Sequence, residues 1–230
     1  MKAVGARIPR YDGVGHVTGQ TAYVDDLKFH GMLWAKALGS RVHSGAITRL
    51  DTSAAEAMPG VHAVITHEDV PLLEWGHLSG LGIPADEPLL AKDEVRYLGE
   101  PIAVVAAEDI DTAEAAVAAI IVEFEEREVL LDVRKAFDSD APKIHHWGNW
   151  YPHFEAEMDR RQIRKGDIDQ AFDDADLIVQ GVYRPAAIEH APVETQVSAA
   201  VPEPDGRITI YSCTQALYFS MGVVAAHLQV

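Results

Sequence analysis

Apolar residues recur along this chain with two periods, two and about 3.6, and the switches between them mark its elements. Alternation or a short continuous apolar run predicts strands at Thr21-Ala22-Tyr23-Val24, Met32 to Leu38, Ala46 to Leu50, Val61 to Thr66, Pro101 to Ala107 and Val122 to Glu125. A short helix, Ser53 to Met58, fits between the third and fourth of these, with Asp51 or Thr52 placed to cap it. Pro59-Gly60 ends that helix, because proline cannot continue the ladder and glycine accepts a left-handed turn. Asp111-Thr112-Ala113-Glu114 has the spacing of a capping box, an acceptor followed three residues later by a carboxylate. The alanine-rich helix after it is expected to bury Ala113, Val117 and Ile120 or Ile121. Residues 71–94, rich in proline and glycine, carry no period and read as a long loop, which in a compact domain usually serves a function or a partner.

The character changes in the second half. Residues 138–155 form a connector of prolines, glycine and aromatics, read as packed rather than floppy. Then follow a short strand over Arg160 to Arg164, a helix capped by Asp167 and running through Phe172, and strands at Leu177 to Tyr183 and Gln196 to Val201. Pro202-Glu203-Pro204-Asp205-Gly206 is a turn, and Arg207 to Cys213 pairs back across it. The last element is a helix whose stripe is Leu217, Met221, Val224 and Leu228. One striped helix needs another layer to cover it, so this second half is expected to be an incomplete domain.

Composition narrows the function. Among 230 residues, 19 are basic and 36 acidic, for a net charge of −17, a surface that repels phosphate backbones and disfavours nucleic acid. No apolar run approaches the roughly 20 residues a membrane span needs, and the N-terminus lacks the apolar core of a secretory signal. The single cysteine, Cys213, allows no internal disulfide, and a cytoplasmic location is expected. Cys213 reads as a small core residue rather than a reactive thiol.

Common catalytic signatures are missing: there is no glycine-rich nucleotide loop, nucleophile elbow or zinc-protease motif. His145-His146 with His153 is the densest histidine patch, but neighbours in an extended chain point apart, so packing is preferred over a metal site and no metal ligand is assigned. Glu189-His190 and Glu194 combine acid and base types. With no nucleophile or metal beside them, a structural hydrogen-bonding role is favoured. Asp25-Asp26 reads as a turn.

Three segments carry a likeness. The first is Val17-Thr18-Gly19-Gln20-Thr21-Ala22-Tyr23-Val24-Asp25-Asp26-Leu27 with Gly31-Met32-Leu33-Trp34-Ala35-Lys36. The second is Leu98-Gly99-Glu100-Pro101-Ile102-Ala103-Val104-Val105-Ala106, with the alanine-rich helix and Val122-Glu123-Phe124-Glu125. The third is Arg164-Lys165-Gly166-Asp167-Ile168-Asp169-Gln170-Ala171-Phe172, then Glu189-His190-Ala191-Pro192-Val193-Glu194, then Ser212-Cys213-Thr214-Gln215. In this order they resemble the N-terminal portion of the molybdopterin-binding catalytic subunit of the xanthine dehydrogenase and aldehyde oxidase family. The run Arg41-Val42-His43-Ser44-Gly45, and Ala216-Leu217 after Gln215, depart from the family's usual pattern.

The resemblance implies an α+β (mixed α/β) chain: an a/b hammerhead domain with an N-terminal arm over 1–135, a linker over 136–157, and an incomplete α+β molybdopterin-binding domain over 158–230. It implies that Gln215 binds the molybdenum–molybdopterin cofactor, its amide reaching an oxygen ligand of the metal. A carboxamide suits that place, since it donates and accepts without adding charge. Without the resemblance, Gln215 is a polar residue at a helix start. The catalytic base, a glutamate in relatives, is expected outside this chain. FAD and 2Fe–2S clusters are expected on other subunits. The expected partners are therefore the remaining molybdopterin-binding subunit or domain, those FAD and iron–sulfur subunits, and a small substrate, a purine-like heterocycle or an aldehyde hydroxylated with oxygen from water. The chain alone is expected to be inert. A non-catalytic binding or assembly module that kept the fold, or an unrelated small acidic binding protein, are the competing readings.

Overall fold

The computed structural model describes residues 4–71, 74–75, 85–150 and 165–229. In chain order it contains α1 (Gly13–Thr18), β1 (Trp34–Gly39), β2 (Gly45–Asp51), α2 (Ser53–Glu56), β3 (Val61–Ile65), β4 (Glu74–Trp75), β5 (Glu87–Pro88), β6 (Glu94–Val95), β7 (Pro101–Ala107), α3 (Ile110–Ala119), β8 (Ile121–Glu126), α4 (Ile168–Asp173), β9 (Ser198–Pro202), β10 (Ile208–Ser212) and α5 (Leu217–Leu228). Mixed helices and small antiparallel sheets make this an α+β chain. Two compact units divide it: Met32–Gln180 with Gly222–Val230, and Met1–Gly31 with Gly181–Met221.

The larger unit is built on two three-stranded sheets. In one, β7 lies between β1 and β3; in the other, β2 lies between β6 and β8. α3 packs on β1 and β7, and α2 packs on α3 and β3. β7 has hydrogen-bonded neighbours on both edges, and Ile102, Ala103, Val105 and Ala107 are buried. That burial explains its unbroken apolar run, since a strand with both faces covered has no place for alternating polar residues. Ala55, Ala91, Val95, Ala116, Ile120 and Val122 complete the buried cluster, with Leu38, Val64 and Phe124 packed against it.

α3 buries Ala113 and Ala116 with Ile120 at its end, while Ile121 turns outward. Its cap corrects the expected box at Asp111–Glu114. The helix begins two residues earlier, and the Asp109 carboxylate accepts the Thr112 N–H at 2.7 Å. Asp109 is extended, so its side chain reaches the free amides of the first turn, while Glu114 reaches outward to Lys36 Nζ at 2.9 Å. α2 starts where Asp51 accepts the Ser53 N–H at 3.1 Å. Gly60, with φ +85°, makes the turn into β3. β4 pairs with β5 inside the stretch expected to be an irregular loop. The expected strand over Arg160 to Arg164 lies outside the described residues.

Close backbone contact ties β1 to the turn before β7. Ser40 N–H donates to Glu100 O and Gly99 N–H to Ser40 O, each at 2.8 Å. A Cβ on Gly39 would stand 2.9 Å from Gly99 O, so only glycine fits. Glu100 is buried beside this contact, and its Oε2 accepts the Arg96 N–H at 2.5 Å. Burial, opposed by that hydrogen bond and the nearby Arg96 charge, raises the Glu100 carboxyl above the usual carboxylate range.

The smaller unit contains α1, the N-terminal arm and the β9–β10 hairpin. The strand expected at Thr21 to Val24 is not formed. Asp26 captures the Tyr23 N–H at 2.9 Å, and Asp26 N–H returns to Tyr23 O, closing a 3-10 turn over Val24–Asp26. The strand expected at Leu177 to Tyr183 is also absent. Leu177, Val179, Val182 and Tyr183 are 79–90% exposed, and no ladder reaches them among the described residues. An apolar alternation becomes a strand only when a neighbour supplies the hydrogen bonds.

Two outcomes follow for the larger unit. Ile102→Ala, at a site with no exposure, should cost about 2–5 kcal/mol in urea unfolding. Glu100→Gln keeps an acceptor for Arg96 but cannot ionise. A carboxyl raised in the folded state contributes stability while protonated and loses it as pH rises through the raised value. The variant should therefore match the parent in mild acid and become the more stable of the two as pH rises from about 4 to 7, read as Tm against pH. A parallel pair of curves would refute this.

Candidate functional site

The sequence points to the end of the β9–β10 hairpin, and geometry builds a corner there. Glu203 N–H donates to Arg207 O at 2.8 Å, and Gly206, with φ +87°, turns the chain. Thr209 donates its hydroxyl to the Glu203 carboxylate at 2.9 Å. The register set by this turn places Ser212 opposite Ser198, and their hydroxyls bond at 2.9 Å. Past Ser212 the chain leaves the sheet. Thr214 Oγ1 accepts the Ala216 N–H at 3.1 Å and bonds Ser220 Oγ at 3.2 Å, an arrangement that starts α5.

Gln215 stands between the Ser212 lock and α5. It is exposed, and its carboxamide has no hydrogen-bond partner among the described residues. A neutral amide presented at the start of a 12-residue helix can offer N–H to an anionic group, near the positive end of the helix dipole. Beside Gln215 the predicted core stripe of α5 is largely open: Leu217, Met221 and Leu228 are 68%, 63% and 50% exposed. Near the helix end His227 is buried, with Nδ1 2.8 Å from Val223 O and Nε2 without a partner among the described residues.

Other candidates fall elsewhere. Glu194 Oε1 accepts the Val24 N–H at 3.4 Å, and Glu189 accepts the Ala191 N–H at 3.4 Å, so neither carboxylate engages His190. Cys213 is a free, half-buried thiol. His145 stacks on Trp147, centroids 4.5 Å apart and planes 4° from parallel, with Nε2 3.7 Å from Asp86. Burial and the Arg96 charge push its imidazole pKa down, favouring the neutral ring. His146 meets the same indole edge-on. His153 lies outside the described residues. No group of three or more His, Cys, Asp or Glu side chains placed to hold a metal occurs among the described residues.

Sequence reading missed two features of the corner. The Ser198–Ser212 lock could have been found by counting back from the Pro202–Gly206 turn, because hairpin register fixes which residues face each other. The contacts of Val24 with Glu194 and of Phe29 with Tyr211, rings 5.6 Å apart, join segments far apart in sequence and leave no local signal.

Known proteins share both halves. Residues 18–128 match the family profile "Aldehyde oxidase and xanthine dehydrogenase, a/b hammerhead domain", and residues 151–230 match the molybdopterin cofactor-binding domain. The chain thus joins an a/b hammerhead domain to a molybdopterin cofactor-binding domain. The chain is 41% identical over 209 residues to a probable xanthine dehydrogenase subunit of Bacillus subtilis, covering 91% of this chain and 27% of that protein. It is 35% identical over 228 residues to the xanthine dehydrogenase molybdenum-binding subunit of Escherichia coli O157:H7, covering 96% and 29%. The solved aldehyde oxidoreductase of Desulfovibrio gigas superposes with a TM-score of 0.75 at 30% identity, over 90% of this chain and 23% of that one. This chain belongs to the xanthine dehydrogenase and aldehyde oxidase family, and it spans less than a third of the length of these relatives.

Thr214→Val should loosen the corner, since it keeps the shape but loses the acceptor for the Ala216 N–H. One lost side chain–backbone hydrogen bond costs about 0.5–1.5 kcal/mol, and amide exchange over 216–220 is expected to quicken while β7 keeps its protection. Unchanged exchange would show that Thr214 does not start α5.

Proposed function

We propose that this chain is the cofactor-flanking part of a molybdenum-dependent hydroxylase or dehydrogenase, acting on a purine-like heterocycle or an aldehyde with oxygen taken from water. The reading rests on one observation, the exposed Gln215 carboxamide at the hairpin–helix corner, which has no hydrogen-bond partner among the described residues. Gln215 would bind the molybdenum–molybdopterin cofactor, which when bound supplies the two-electron chemistry. The carboxamide's part is to donate a hydrogen bond and orient the group without changing the charge of the site. We assign the domains as a hammerhead with its arm to residue 135, a linker over 136–157 and a cofactor-binding part from 158.

The base is assigned to the remaining molybdopterin-binding portion, as a second subunit or further sequence. FAD and iron–sulfur clusters are assigned to other subunits. The relatives' names as subunits support such an assembly. On this reading the base lies in that remaining portion and this chain acts only together with it. No helix among the described residues is long and apolar enough to cross a membrane, and a cytoplasmic setting suits the reading.

Co-expression with the remaining molybdopterin-binding portion tests it. The assembled protein should contain molybdenum and reduce a dye with substrate, whereas this chain alone should not. Gln215→Ala should lower kcat by roughly 100–1,000-fold, the range for removing a donor aimed at developing charge. Full activity in Gln215→Ala would reject the site. An assembly that forms but binds no molybdenum would favour a non-catalytic module.

A further inference from the structure

The family's hammerhead profile begins at residue 18, yet the arm up to Gly31 is compact with Gly181–Met221. The motif Tyr23-Val24-Asp25-Asp26 explains how. Its 3-10 turn satisfies its own amides, with Tyr23 N–H on the Asp26 carboxylate, Asp26 N–H on Tyr23 O and Leu27 N–H on Val24 O. The Val24 N–H is left to point outward, and it donates to Glu194, 170 residues away. Tyr23 is steadied from behind by His16 Nδ1, 3.3 Å from its hydroxyl. Further along the arm, half-buried Phe29 lies against Tyr211 on β10, tilted by 35°. Tyr211 precedes the Ser212 lock and stands four residues before Gln215.

We propose that Val24–Phe29 is a positioning clasp for the Gln215 corner. Phe29 bears on the strand that delivers Gln215, and Glu194, held by Val24, ties the arm to the segment entering β9. Phe29 and Glu194 are thus positioning residues, acting through β9 and β10 and touching no substrate. The clasp itself stands on these contacts; its bearing on catalysis rests on the assignment of Gln215 made above. An aspartate-rich turn with exposed carboxylates becomes a device for aiming one backbone amide and one aromatic ring.

Hydrogen exchange on the 230-residue chain reads the clasp directly. Phe29→Ala should speed exchange over 208–216 by roughly threefold to tenfold, the equivalent of one aromatic contact, and leave β7 and β8 unchanged. Phe29→Tyr, which keeps the ring, should restore protection. Glu194→Ala against Glu194→Gln makes the same comparison through the hydrogen bond, and it serves if Phe29→Ala fails to fold. No change over 208–216, or an equal rise over 101–126, would overturn the clasp. In the co-expressed enzyme, Phe29→Ala should lower kcat with KM and molybdenum content held. An unchanged kcat with loosened 208–216 would overturn its positioning role. If instead Gln215→Ala is fully active while Phe29 still controls exchange at the corner, the cofactor assignment fails and the clasp stands.

Discussion

A strand paired on both edges and covered on both faces can carry only apolar side chains, and β7 imposes that constraint on the larger unit. β1 and β3 take its edges, α3 lies on it, and its buried residues join those of α2, α3, β6 and β8 in one cluster. The Gly39–Gly99 approach and the buried Glu100 both sit at its entrance. Small residues dominate the centre: Ala55, Ala91, Ala103, Ala107, Ala113 and Ala116. They let helix and strands approach closely, so specificity rests on a few larger anchors, Ile102, Val95 and Val105.

The smaller unit obeys a different constraint. Its hairpin is two-stranded, and Leu177, Val179, Val182, Ile188 and Val193, most of them in this unit or leading into it, are mostly exposed. An isolated two-stranded ribbon is marginal in water. The turns, the Ser198–Ser212 pair and the arm therefore carry more of its definition than any core does. That is the setting in which an unpartnered carboxamide can remain available to a ligand, because little around it competes for its hydrogen bonds.

Where a clear apolar period meets a neighbour that pairs or covers it, the chain's reading and its structure coincide. β2, β3, β7, β8, the β9–β10 hairpin and α5 all lie where periodicity puts them, within a residue or two. Where no partner strand arrives, or a local acceptor takes the amide first, local pattern misleads. Thr21 to Val24 has the composition of a strand but closes a turn because Asp26 outcompetes any neighbour for the Tyr23 amide. Leu177 to Tyr183 has strand periodicity without a ladder. The capping box at Asp111 had the right chemistry two residues too late, because Asp109 offers an equivalent acceptor at the helix's true start.

Sequence alone determined the family, the α+β class and the buried strand, since motif order and hydrophobic period are properties of consecutive positions. Only the tertiary structure decided which acceptor took the Val24 amide and that Phe29 meets Tyr211. Those facts depend on segments about 170 residues apart meeting in space, and no local pattern encodes which distant group will arrive.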